Sequence, residues 1–249
     1  MRAALIAFLL NLGPSTMLGL SATVGLPTPA AAYDANDPAN CSGIGWDDVR
    51  PLDVAEVIAQ PRVNFVKSPY DDDFKAVSCP AASEACRKPS YLVTGDLVLV
   101  GRTRGDFTCV SYQALHAKAQ TWTTGWLPSG ALTKVERMPT PAPTDWLGSW
   151  EHPGGGLTIS KAADGKFKIE GDQVVPAGRD FNAGAISARA APKDGVIAFV
   201  NDGSTPFERP SEGDECRVRL QRIGPLLLVE ENNDCGGSGV SFTGLYHRE

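Results

Sequence analysis

The sequence predicts an all-β protein made of two small β-barrel domains. Three observations carry that reading. Short runs of Val, Leu, Ile, Tyr and Thr recur between Gly-Asp and Asp-Gly turns from Val63 onward, helical periodicity is almost absent, and a proline-rich stretch at 138–144 (MPTPAPT) divides the runs into two sets. The chain has 249 residues, of which 42% are apolar and 21% charged, which suffices for two cores and excludes wholesale disorder.

Nothing between Arg2 and Asp34 is charged, and the run AALIAFLL at 3–10 leads into small residues ending Ala30, Ala31, Ala32. This predicts a signal peptide over 1–32 and a periplasmic or secreted product. Asn11, Gly13 and Pro14 interrupt the apolar run well short of the ~20 residues a spanning helix needs, so no integral membrane protein is expected. The net charge is −6, and loss of the leader removes only Arg2. An acidic product is a poor match for nucleic acid, whose binding depends on neutralising phosphates.

Six cysteines follow the leader, at 41, 79, 86, 109, 216 and 235. An even number in an exported chain predicts disulfides. Cys216 and Cys235 flank a hairpin turning at Gly224-Pro225 and are expected to pair. Of the three connectivities open to the other four, Cys79 with Cys86 is the favoured local pair, leaving Cys41 with Cys109. No CxxC occurs, and His116, His152 and His247 lie in separate segments, so neither a metal nor a cofactor is expected.

After the leader, 33–60 reads as an N-terminal extension with a short helix at 53–58, where Asp53 and Glu56 stand in capping-box register and Pro61 ends the run. Strands are expected at 63–66, 97–100, 107–112, 123–127 and 132–135 of a domain covering 61–137. The unbroken Leu97-Val98-Leu99-Val100 fits a strand buried on both faces. Proline alternating with small residues at 138–144 favours an extended spacer.

In the second domain, 145–249, Leu157 and Ile159 alternate with polar residues, Asp164-Gly165 turns the chain, and Phe167 and Ile169 resume the alternation. Further strands are expected at 196–200, 216–221, 226–230 and 239–246. About eight strands in a meander leave open edges unless they curl into an up-and-down barrel.

The ordered set YLVTGDLVLV at 91–100, GDFTCV at 105–110 and TGWL at 124–127 resembles bacterial SH3-like domains. The insert at 113–120 and the cysteines depart from the minimal pattern. Gly148-Ser149-Trp150 on an early strand and Arg248 at the chain end resemble the calycin barrels, the lipocalins and avidins. That resemblance implies that Arg248 packs across Trp150 to close the barrel floor; alternatively, Trp146 and Trp150 are core aromatics.

Candidate binding residues follow from the first resemblance. Tyr70, Tyr112 and Trp122 are expected to line a peptide groove, with Asp72, in the trio Asp71-Asp72-Asp73, on an electronegative rim, and Trp126 is expected in the core. No catalytic site can be assembled: no free thiolate with a His, no pair of His ligands, and no obvious carboxylate pair. Glu151, Glu208, Glu212, Glu230 and Glu231 lie near turns, where charges are usually solvated. The glycine-rich loop 232–239 lacks a phosphate-loop or nucleophile-elbow pattern and reads as a tight loop beside a disulfide. The expected function is therefore a non-enzymatic binding protein of the bacterial cell envelope, recognising peptidoglycan or an envelope peptide. The alternative is an inhibitor that meets a cationic, lysozyme-type hydrolase through the second domain, whose 11 basic and 16 acidic residues give a net charge of −5.

Overall fold

A computed structural model describes residues 37–117, 120–211 and 213–249; the expected signal peptide lies outside the described residues. Nearly all regular structure is antiparallel sheet, and no helix among the described residues is long and apolar enough to cross a membrane.

The first sheet contains β1 (Asp53–Val57), β2 (Arg62–Val66), β3 (Arg87–Val93), β4 (Leu97–Arg104), β5 (Phe107–Tyr112), β6 (Thr123–Pro128) and β7 (Leu132–Val135). Their order is β3-β2-β6-β5-β4-β1-β7. β1 corrects the helix expected at 53–58. Ala55 and Val57 enter one apolar cluster with Val98 and Val110, while Val54 enters another with Leu99, the period-2 alternation of a strand. β1 is also paired on both sides, with β4 and β7. A six-residue segment cannot hold a helix by itself, and two ladders with two buried faces outweigh its local capping signal. The sheet therefore begins inside what the sequence presents as an extension.

The second sheet contains β8 (Gly148–His152), β9 (Gly155–Lys161), β10 (Phe167–Ala177), β11 (Asp180–Ala190), β12 (Val196–Val200), β13 (Arg217–Ile223), β14 (Leu226–Glu231) and β15 (Gly244–Arg248). Every strand pairs with its chain neighbours except across β11 and β12, and β15 returns to pair with β8. The result is an up-and-down meander curled nearly into a barrel. At the open seam Asn201 stands in for a ladder: its Nδ2 donates to Ala185 O at 3.1 Å and its Oδ1 accepts from Ser187 N at 2.6 Å. The interior is filled by Trp146, Trp150, Ile159, Ile169, Ile186, Leu220 and Tyr246 among others.

Three disulfides join Cys41–Cys109, Cys79–Cys86 and Cys216–Cys235. The loop 232–239 lies against β11, with Gly184 bridged to Gly236. Its glycines answer a close approach of backbones: a Cβ on Gly236 would lie 2.6 Å from Val240, and one on Gly184 the same distance from Cys235 O.

The described residues form one compact unit. The joint lies on β13, β14 and β15, which bury both faces. Leu220, Leu227, Val229 and Tyr246 point into the barrel; Ile223, Leu226, Leu228 and Leu245 point out and pack with Leu52, Val54 and Leu99 of the first sheet. The proline-rich segment, expected as a spacer, is docked. Met138 N donates to Arg222 O at 2.9 Å, Gly195 leaves room for Pro139 O, and Pro143–Trp146 forms one helical turn that buries Trp146.

Denaturant unfolding of the full chain should therefore show a single transition. Leu228→Ala, which empties the centre of the joint, should lower stability by about 2–5 kcal/mol within that one transition. Two transitions, with only the second shifted, would contradict a shared core.

Candidate functional site

The registers align Val135, Val54, Leu99, Ser111 and Thr124 in one cross-strand row over β7, β1, β4, β5 and β6. Val54 and Leu99 fill the joint with the barrel. At Ser111 and Thr124 the row changes to short hydroxyl side chains, bonded to each other at 2.9 Å. The chain before β1, tethered by Cys41–Cys109, roofs the gap that results. A cavity of ≈ 280 Å³ opens there, lined by Ile44, Trp46 and Leu52 of the tethered segment, Leu99, Ser111, Trp122 and Thr124 of the first sheet, and Glu230, Glu231 and Ser241 of the second.

Glu230 and Glu231 are 1% and 2% exposed, which corrects their reading as solvated turn charges. They end β14 as it leaves the joint, so position near a turn does not place them in solvent. Glu230 Oε2 accepts from Leu52 N at 2.9 Å and lies 3.9 Å from the Arg219 guanidinium, while Gln221 Nε2 donates to its Oε1. Arg219 is itself engaged: it lies 3.9 Å over the Trp46 ring and donates to Asp47 O. Glu231 has no cationic partner among the described residues. Its carboxylate accepts from Ser241 Oγ at 2.8 Å and Asn233 N at 2.5 Å. Burial pushes both carboxyls above the usual range, against the pull of these donors.

Gln113, His116 and Gln120 of the insert form a strap from the first sheet to the mouth of the barrel. Gln120 Nε2 donates to Ser241 O at 2.8 Å, and the His116 ring meets His247 edge-on at 4.4 Å. Gln113 Oε1 lies 2.7 Å from His152 Nε2. Inside the barrel, Gln173 Nε2 donates to His152 Nδ1 at 2.9 Å and to Tyr246 Oη at 3.2 Å, and Tyr246 Oη donates to Phe242 O at 2.9 Å. The side chains of Gln113 and Gln173 thus hold the His152 ring at its two nitrogens. Burial pulls the His152 imidazole down to about 4 and pushes the Tyr246 phenol up. The three histidines, scattered in sequence, thus converge on one seam, although no group of three His, Cys, Asp or Glu side chains among the described residues is placed to hold a metal.

The residues expected to form one aromatic groove are dispersed. Tyr70 donates to Asp37 at 2.5 Å and packs edge-on against Phe74. Asp72 is paired with Lys67 at 2.6 Å, and Asp71 with Lys88 at 3.0 Å, so two of the acidic trio are engaged by the protein's own lysines. Tyr112 donates to Asp96 at 3.3 Å. Only Trp122 lines the cavity, half-buried, whereas Trp126 is fully buried. At the barrel floor, Arg248 and Arg222 lie 4.8 and 4.4 Å over the Trp150 ring, and both donate to Asp145 O. Sequence reasoning missed Trp46, Ser111, Thr124 and the two glutamates.

No protein-family model matches the chain, and no curated protein or solved structure shows significant similarity to it.

The His152 shift has a definite sign. Below its ordinary value near 6.5 the unfolded chain takes up a proton that the folded imidazole refuses until about 4. Stability is therefore lost as pH falls through that window, by about 3 kcal/mol for a shift of this size. The raised glutamates act in the opposite sense, so the comparison must be with His152→Gln. Denaturant titrations from pH 7 to 4 should show a shallower loss in the variant; identical slopes would contradict the assignment.

Proposed function

We propose that this protein is an exported, non-enzymatic binding protein of the cell envelope, and that it holds peptidoglycan or an envelope peptide in the cavity between its sheets. The observation that carries the reading is the cavity itself. It combines an aromatic wall, an apolar side and buried carboxylates, and it lies where the two sheets and a disulfide-tethered segment meet. The resemblance of about 61–136 to SH3-like domains supports an envelope ligand, and the second, nearly closed barrel supplies a filled scaffold for the cavity. All six cysteines are in disulfides, which removes a thiolate nucleophile, and Glu230 is occupied by Leu52, Gln221 and Arg219. Three disulfides are compatible with an oxidising, extracytoplasmic compartment.

A second reading, inhibition of a cationic cell-wall hydrolase, is favoured by the tip of the β10–β11 hairpin. Phe181 is 68% and Val174 42% exposed there, on a strand pair that also carries Asp172 and Asp180. Incubating the full chain with insoluble peptidoglycan and, in parallel, with a lysozyme substrate assay separates the two. The first reading expects co-sedimentation that Trp122→Ala weakens at least several-fold without moving the melt, and lysis unchanged. Lysis suppressed, with suppression lost in Phe181→Ser, favours the second; neither effect contradicts both.

A further inference from the structure

Resting on that reading, the cavity also says which part of an envelope ligand it takes. Its side walls are apolar: Ile44, Leu52 and Leu99, with the indole of Trp122. Its polar lining is unbalanced. Ser111 and Thr124 bond to each other at 2.9 Å and carry no charge. Glu230 shares Arg219, but that cation is already held over Trp46 and at Asp47 O and does not reach the cavity lining. Glu231 is the exception: a nearly fully buried carboxylate on the lining, held by one hydroxyl and by backbone N–H donors, with no cation beside it among the described residues. A buried carboxylate is stabilised most by a charge-assisted donor of opposite sign. Its two oxygens accept from Ser241 Oγ and from the backbone N–H groups of Asn233 and Phe242, and a carboxylate offers about four lone-pair sites, so acceptor capacity remains.

A sugar would offer hydrogen bonds but would leave Glu231 without a counter-charge. A ligand with an unbranched methylene stem and a terminal cation answers both walls and carboxylate: the stem lies against Leu52, Leu99 and Trp122, and the cationic head meets Glu231. The protein's acidic surface favours the approach of such a group. We infer that the inter-sheet cavity is a receptor for a primary alkylammonium on an unbranched apolar stem, the side chain of lysine or of a similar diamino acid in an envelope peptide, with Glu231 as its counter-ion and Trp122 as its wall.

The test uses the full chain with two probes, N-acetyl-lysine methylamide and the same molecule acetylated on Nε, followed by calorimetry and by NMR shifts of the indole N–H groups. The expected result is saturable binding of the first probe with the Trp122 indole shifted, at least ten-fold weaker binding of the second, and a similar ten-fold loss in Glu231→Gln. Should Glu231→Gln fail to fold, Trp122→Leu carries the same expectation. Equal binding of both probes, no binding of the first, or shifts that spare Trp122 would overturn the assignment. Peptidoglycan capture on the same sample separates the two levels. Capture without probe binding overturns the ammonium site alone, whereas loss of both overturns the envelope-binding reading as well.

Discussion

The burial of β13 and β14 on both faces is the constraint on which the rest of the molecule depends. A strand on the wall of a small barrel ordinarily gives one face to the core and one to water. Here Leu226 and Leu228 point away from the barrel and are both buried, Leu228 as fully as Leu227 and Val229, which point into it. Burying such side chains contributes roughly 1.5–3 kcal/mol each, so the outward face is not an accessory contact but a second core. It is completed by Val54 and Leu99, and those residues reach it only because β1 lies between β4 and β7.

That arrangement also explains where a ligand can enter. Where the cross-strand row reads Val and Leu, the sheets touch; where it changes to Ser111 and Thr124, they part. The polar ends of β14 are drawn into the gap because the strand is held by its apolar middle. Glu230 and Glu231 are thus buried by the packing of their neighbours, and their donors are those brought by the tethered N-terminal segment and by the loop before β15. The strap formed by Gln113, His116 and Gln120 fastens the same corner from the outside.

Much of the all-β class was legible, for identifiable reasons. Alternation at Leu157, Ile159, Phe167 and Ile169, and the unbroken run 97–100, are signals that a strand's own side chains carry. β3 was hidden because it is an edge strand with mostly exposed residues and a proline, Pro89, that an edge tolerates. β1 was misread because its helix signal is local and its strand partners are distant. The site was the least legible part. Ser111 and Thr124 are separated by 13 residues, and both stand more than 100 residues from Glu230, so their meeting depends on register and on the joint, not on any spacing in the chain. The aromatic groove failed for the same reason: Tyr70, Tyr112 and Trp122 share a domain but each finds a different partner.

The central claim is that the two sheets are one folded body whose joint builds the site. Native-state hydrogen exchange tests it most directly, since the backbone amides of β1 and β4 and those of β13 and β14 report on opposite sides of the joint. A shared core requires the slowest amides on both sides to open with the same free energy and to respond together to Leu228→Ala. Slow amides that open with clearly different free energies, with the variant affecting β13 and β14 alone, would show two bodies in contact and contradict the account.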